Sequence, residues 1–151
     1  MAKIVELTLA QVMQPFQANL SGNVHGGEIM KMMDIMAGSV ATKYAKGTVV
    51  TARVDEIQFI LPSVVGDYVS MTGRLVYVGN TSMEILVTVD VEDLRSDTLP
   101  QRALSASFTM VALDQRGRPK TLPPLDLETD EDRQLFAAAQ SRRELSRKNR
   151  A

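Results

Sequence analysis

The chain has 151 residues, which suits one domain with a core able to hold without cross-links. Its 17 Lys and Arg balance 18 Asp and Glu, so no global basic field points to nucleic acid. The absence of Cys and the single His exclude disulfides, thiolate metal sites, a cysteine nucleophile and a multi-histidine metal centre within one chain.

The N-terminal MAKIVELTLAQVMQP has no apolar stretch of signal-peptide length, and no later run approaches the ~20 residues of a membrane span. The expectation is a cytoplasmic domain that uses no membrane. Two glycosylation sequons, at Asn19 and Asn80, are then coincidental. Residues 3–13 read as a first strand, with Ile4, Leu7 and Leu9 as its apolar points and Pro15 closing it. Residues 15–25 read as a loop rich in Asn, Ser and Gly. Residues 27–45 read as a helix whose apolar positions run nearly all round, the mark of a buried helix. One acid, Asp34, stands among Met32, Met33, Ile35 and Met36, where an ionised carboxylate is costly unless paired.

From Thr48 the period changes to two. In VVTARVDEIQFILP the apolar parity switches, from Val50, Ala52 and Val54 to Ile57 and Phe59. That slip predicts a β-bulge near Asp55–Glu56. DYVSMTGRLVYVG alternates with Val69, Met71, Leu75 and Tyr77 on one face. SMEILVTVDVED alternates most cleanly, and RALSASFTMVALD follows with Leu104, Ala106, Phe108 and Met110. Turns fall at Pro62–Gly66, Gly79–Asn80 and Asp97–Pro100. Short turns favour antiparallel pairing. After Asp126 the composition becomes charged, with Thr129 and Asp132 as a capping-box-like start to a peripheral C-terminal helix. The predicted organisation is α+β: residues 1–126 as one antiparallel sheet curled around one long helix, and 127–151 as a charged helical tail.

The stretches QANLSGNVHGGEIMKMMDIMAG, VVTARVDEIQFILPSVVGDYV and VGNTSMEILVTVDVED, with the spacing between them, make residues 13–125 resemble the hotdog-fold acyl-CoA thioesterases. The resemblance implies a curved antiparallel sheet around a central helix. It also implies a homodimer with one continuous sheet, active sites at the subunit interface, and assembly as a trimer of dimers. The implied reaction is hydrolysis of acyl-CoA to fatty acid and CoA. No cofactor is needed, since CoA belongs to substrate and product, and no metal is expected.

Gly26 and Gly27 open the helix, where unpaired N–H groups and the helix dipole can polarise a thioester carbonyl and hold an oxyanion. Asp34 lies roughly 10 Å further along the same helix at ~1.5 Å per residue, too far to reach that carbonyl. The implied dimer resolves this by pairing the glycine amides of one chain with Asp34 of the other. Asp34 would act as general base or as nucleophile, its pKa raised by apolar surroundings. Asn19 would bond the water or the thioester oxygen. His25 is a base by chemistry, but its place before the glycines suits loop shaping or capping. Gly79, Asn80, Thr81 and Ser82 are assigned by the resemblance to CoA contacts, although an ordinary hairpin turn would use the same residues. Arg53 and Arg74, and more loosely Arg142, Arg143, Arg147 and Lys148, are the candidate cations for the CoA phosphates. The alternatives are a non-catalytic acyl-CoA-binding hotdog module and an acyl-thioester hydratase or dehydratase.

Overall fold

A computed structural model of the chain describes residues 2–150; Met1 and Ala151, the ends of the two predicted segments, lie outside the described residues. The predicted first strand divides into β1 (Ala2–Lys3) and β2 (Glu6–Val12). A short 3-10 turn over Pro15–Gln17 follows, then α1 (Gly26–Ala45). The remaining elements are β3 (Val49–Phe59), β4 (Tyr68–Val78), β5 (Ser82–Glu92), β6 (Gln101–Ala112), β7 (Leu125–Asp126) and α2 (Asp130–Arg150).

Five strands form one antiparallel sheet in the order β2-β4-β5-β6-β3, and β1 pairs with β7 in a separate parallel ladder. α1 contacts all five strands of the large sheet. One helix can do so only if the sheet curls around it. The core lies between them: Met33, Met36, Ala37 and Val40 of α1 meet Met71, Leu75, Ile85, Val87 and Phe108. Gly73 permits the closest approach. A Cβ there would stand 2.6 Å from Met36 Cγ and 3.1 Å from Val40 Cγ2.

Within one chain, α1 is not buried all round. Lys31, Asp34, Ile35, Ser39 and Lys43 form an exposed stripe, and Ile35 is 55% exposed. The apolar count of the segment had hidden that stripe, because Ile35 and the small residues Gly38 and Ser39 sit on it. The expected slip in β3 is present between Asp55 and Gln58, with Glu56 held at φ +56°. A second slip lies between Thr51 and Arg53. A third, between Leu75 and Tyr77 of β4, corrects the predicted face of Tyr77. Leu75 points at α1, but Tyr77 turns to the outer face and meets Phe136 of α2, with ring centroids 4.8 Å apart.

α2 is anchored to that outer face. Thr129 Oγ1 accepts from Asp132 N–H and Asp132 Oδ2 accepts from Thr129 N–H, both at 3.0 Å, completing the predicted capping box. Arg74 of β4 pairs with Asp132 and Glu131. Ala139 is fully buried, Arg142 pairs with Glu84 of β5, and Arg143 stacks over the Tyr77 ring. The tail arginines 142 and 143 therefore face the sheet.

Candidate active site

The loop before α1 is built on Asn19. Its side-chain Oδ1 accepts from Ser21 N–H (3.0 Å), Ser21 Oγ (2.7 Å) and Asn23 N–H (3.2 Å). That leaves its NH₂ group for a ligand. His25 occupies the N-cap, and its backbone carbonyl accepts from Glu28 and Ile29. Its side chain makes no capping bond, so the capping role expected for the imidazole is not seen. The Gly26 and Gly27 N–H groups meet no acceptor among the described residues.

A cleft of about 390 Å³ opens beside this helix start. Asn19 and Gly26 form part of its wall; Ile29, Phe59, Val89 and Leu104 are among its apolar lining. Phe59 stands close to the helix start, with its ring 3.8 Å from where a Cβ on Gly26 would be. An apolar cleft with a few convergent donors suits a ligand with a polar head and an apolar tail.

Asp34 does not line this cleft. It lies on the exposed stripe of α1, and Thr51 Oγ1 of β3 donates to its Oδ1 at 2.6 Å. The enclosed apolar setting expected for Asp34 is absent within one chain. Thr51 was not among the sequence candidates. A threonine in a strand is ordinary, and only the slip at Ala52 places it over the helix.

The other predicted contacts are dispersed. Gly79 N–H donates to Ser82 O, while Asn80 O and Thr81 O accept from Leu122 and Ala112. Ser82 Oγ accepts from Arg143. This turn joins β4 to β5 at the end of β5 opposite Val89 and Val91, which line the cleft. Arg74, a candidate for the CoA phosphates, pairs with Glu6, Glu131 and Asp132 and so anchors α2. Arg53 pairs with Asp55 and donates to Ser146. Arg53, Arg142, Arg143 and Arg147 line a second, polar cleft of about 720 Å³ between α2 and the outer sheet face. Of these four, Arg147 alone has no ionic or hydrogen-bonding partner among the described residues. No cluster that could hold a metal ion occurs among the described residues.

The family model described as Thioesterase superfamily matches residues 21–97, which run from the Asn19 loop through β5. The chain belongs to the thioesterase superfamily. The Escherichia coli acyl-CoA thioester hydrolase YciA is 38% identical over 120 residues, covering 78% of this chain and 91% of that protein. The mouse cytosolic acyl coenzyme A thioester hydrolase is 38% identical over 136 residues, 89% of this chain. The chain spans only 36% of that relative's length. An apo-hexameric acyl-CoA thioesterase of known crystal structure superposes with a TM-score of 0.90 at 31% identity, covering 97% of this chain and 93% of its own. With 97% of the chain matched, α2 has a counterpart there, although it lies outside the stretch that carries the sequence resemblance. The curled sheet around one helix is the hotdog fold of this superfamily.

Proposed function

We propose that the chain hydrolyses acyl-CoA thioesters to a free carboxylic acid and CoA, with each active site shared by two subunits. The observation that carries this reading is the division of the catalytic groups. Gly26 and Asn19 line one cleft, with Gly27 next to them at the helix start, while Asp34 stands outside it on an exposed stripe. β3, beside that stripe, has no strand on its outer edge among the described residues. A second copy pairing there would bring its own α1 stripe against this one, and its Asp34 toward this cleft. The hexameric state of the superposed thioesterase supports an oligomer. The names of the E. coli and mouse relatives support the substrate, and the mouse name supports a cytosolic setting.

In the composite site the thioester carbonyl lies on the Gly26 and Gly27 N–H groups. Thr51 occupies one Asp34 oxygen, and the other takes a proton from water as the water oxygen bonds the carbonyl carbon. The oxyanion rests on the helix start, where losing one such donor typically costs about 10²–10³ in rate. Collapse expels the CoA thiolate, which recovers the proton from Asp34. The Asn19 NH₂ group bonds the water or the thioester oxygen.

The test is release of free thiol from acetyl-, butyryl- and palmitoyl-CoA. Turnover separates this reading from a module that only binds acyl-CoA, and the products separate it from a hydratase. Asp34→Asn should keep the fold and lose most activity. Near-wild-type kcat in that variant would move the base assignment to His25.

A further inference from the structure

We propose that Ala103 forms the floor of the acyl site and limits the length of acyl chain that it accepts, which rests on the thioesterase reading above. The cleft is polar only near its Asn19 and helix-start wall. A thioester placed on the Gly26 and Gly27 N–H groups must send its acyl chain away from them, past Phe59 and Ile29. Val89, Val91, Ala103 and Leu104 of β5 and β6 stop it there.

Ala103 is the smallest of the floor side chains, and it is 5% exposed. It stands where the β5–β6 register slips, between the Val89–Leu104 and Asp90–Arg102 pairs. The slip turns both Ala103 and Leu104 into the cleft instead of one of them. The Ala103 backbone is also held, since its carbonyl accepts from Ile60 N–H (2.8 Å) and Leu61 N–H (3.3 Å). A larger side chain cannot be relieved by moving that backbone without breaking both bonds. It must project into the space that the end of the acyl chain takes.

The experiment compares kcat/KM for acetyl-, octanoyl- and palmitoyl-CoA in the wild type, Ala103→Val and Ala103→Leu. Using a ratio within each protein removes any general loss of activity. The wild type should favour octanoyl- over palmitoyl-CoA. The octanoyl-to-acetyl ratio should fall at least about tenfold in Ala103→Leu and by less in Ala103→Val, the scale expected when a pocket loses room for a methylene or more. A wild type that turns over palmitoyl-CoA as readily as octanoyl-CoA overturns the proposal whether or not the variants fold. So does an unchanged ratio in a variant whose circular dichroism matches wild type. In either case the thioesterase reading survives. A wild type that releases no thiol from any of the three overturns that reading, and this one with it.

Discussion

Thr51 fixes where the Asp34 carboxylate points, and nothing else among the described residues hydrogen-bonds that side chain. A hydrogen bond to a charged group contributes about 1.5–3 kcal/mol, so Thr51→Val should lower kcat roughly ten- to hundredfold if orientation of the acid matters. Thr51→Ser keeps the hydroxyl and should restore most of the loss. Steady-state kinetics of the two variants, with KM near wild type, check this. Gly26, Gly27 and Asp34 were singled out in the sequence because glycines at a helix start and an acid in an apolar run are each unusual, and Asn19 through the resemblance. Thr51 was not, because its role depends on a neighbour 17 residues away. The acidic partners of Arg74 were hidden for a similar reason. An arginine in a strand suggests a phosphate, until the acids that hold it come from α2 and β2.

At the scale of elements, the slip at Glu56 could be read because the residues around it are apolar on one parity and polar on the other. The slip in β4 could not. Leu75, Val76, Tyr77 and Val78 are all apolar or aromatic, so a change of parity leaves no trace in composition. The packing of α1 on β4 depends on Gly73. Gly73→Ala should destabilise by about 1–3 kcal/mol, as overpacking does, because Met36 must leave its position. Met36→Ala should cost less in the Gly73→Ala background than alone, a coupling that urea unfolding of the two single variants and the double variant would show. α2 depends on Asp132. Burial alone would raise its pKa, but the Thr129 N–H, Arg74, the Thr129 hydroxyl and the Glu128 N–H outweigh burial and lower it. A carboxylate lowered in the folded state stabilises above its unfolded pKa, near 3.8, and that contribution is lost as pH falls through the folded value. α2 should therefore loosen below about pH 4, followed by hydrogen exchange of its amides. Asp132→Ala should cost at least ~1 kcal/mol at neutral pH and flatten this acid limb.

At the scale of the whole molecule, the proposed division of the site between subunits makes a quantitative claim. Asn19→Ala and Asp34→Asn should each silence both sites of a homodimer. In a mixed dimer one site collects both lesions and the other collects neither. Random mixing gives about half mixed dimers, so co-refolded variants should recover roughly a quarter of wild-type thiol release. Native mass spectrometry establishes that mixed dimers are present. If they form and activity stays at the level of the separate variants, the site lies within one chain.

The order of elements along the chain has a consequence for synthesis. α1 is complete at Ala45, yet the strands that cover its apolar face, β4 to β6, end only at Ala112. At roughly 5–20 residues per second, a ribosome needs about 3–13 s to supply them. For that interval Met32, Met33, Met36 and Val40 have no sheet to cover them. The nascent chain is then most open to chaperone capture, or to association with a neighbouring nascent copy on the same message. Substitutions that delay the β4–β5–β6 meander should lower the yield of soluble protein more than their equilibrium cost suggests, because they lengthen the time the helix spends uncovered.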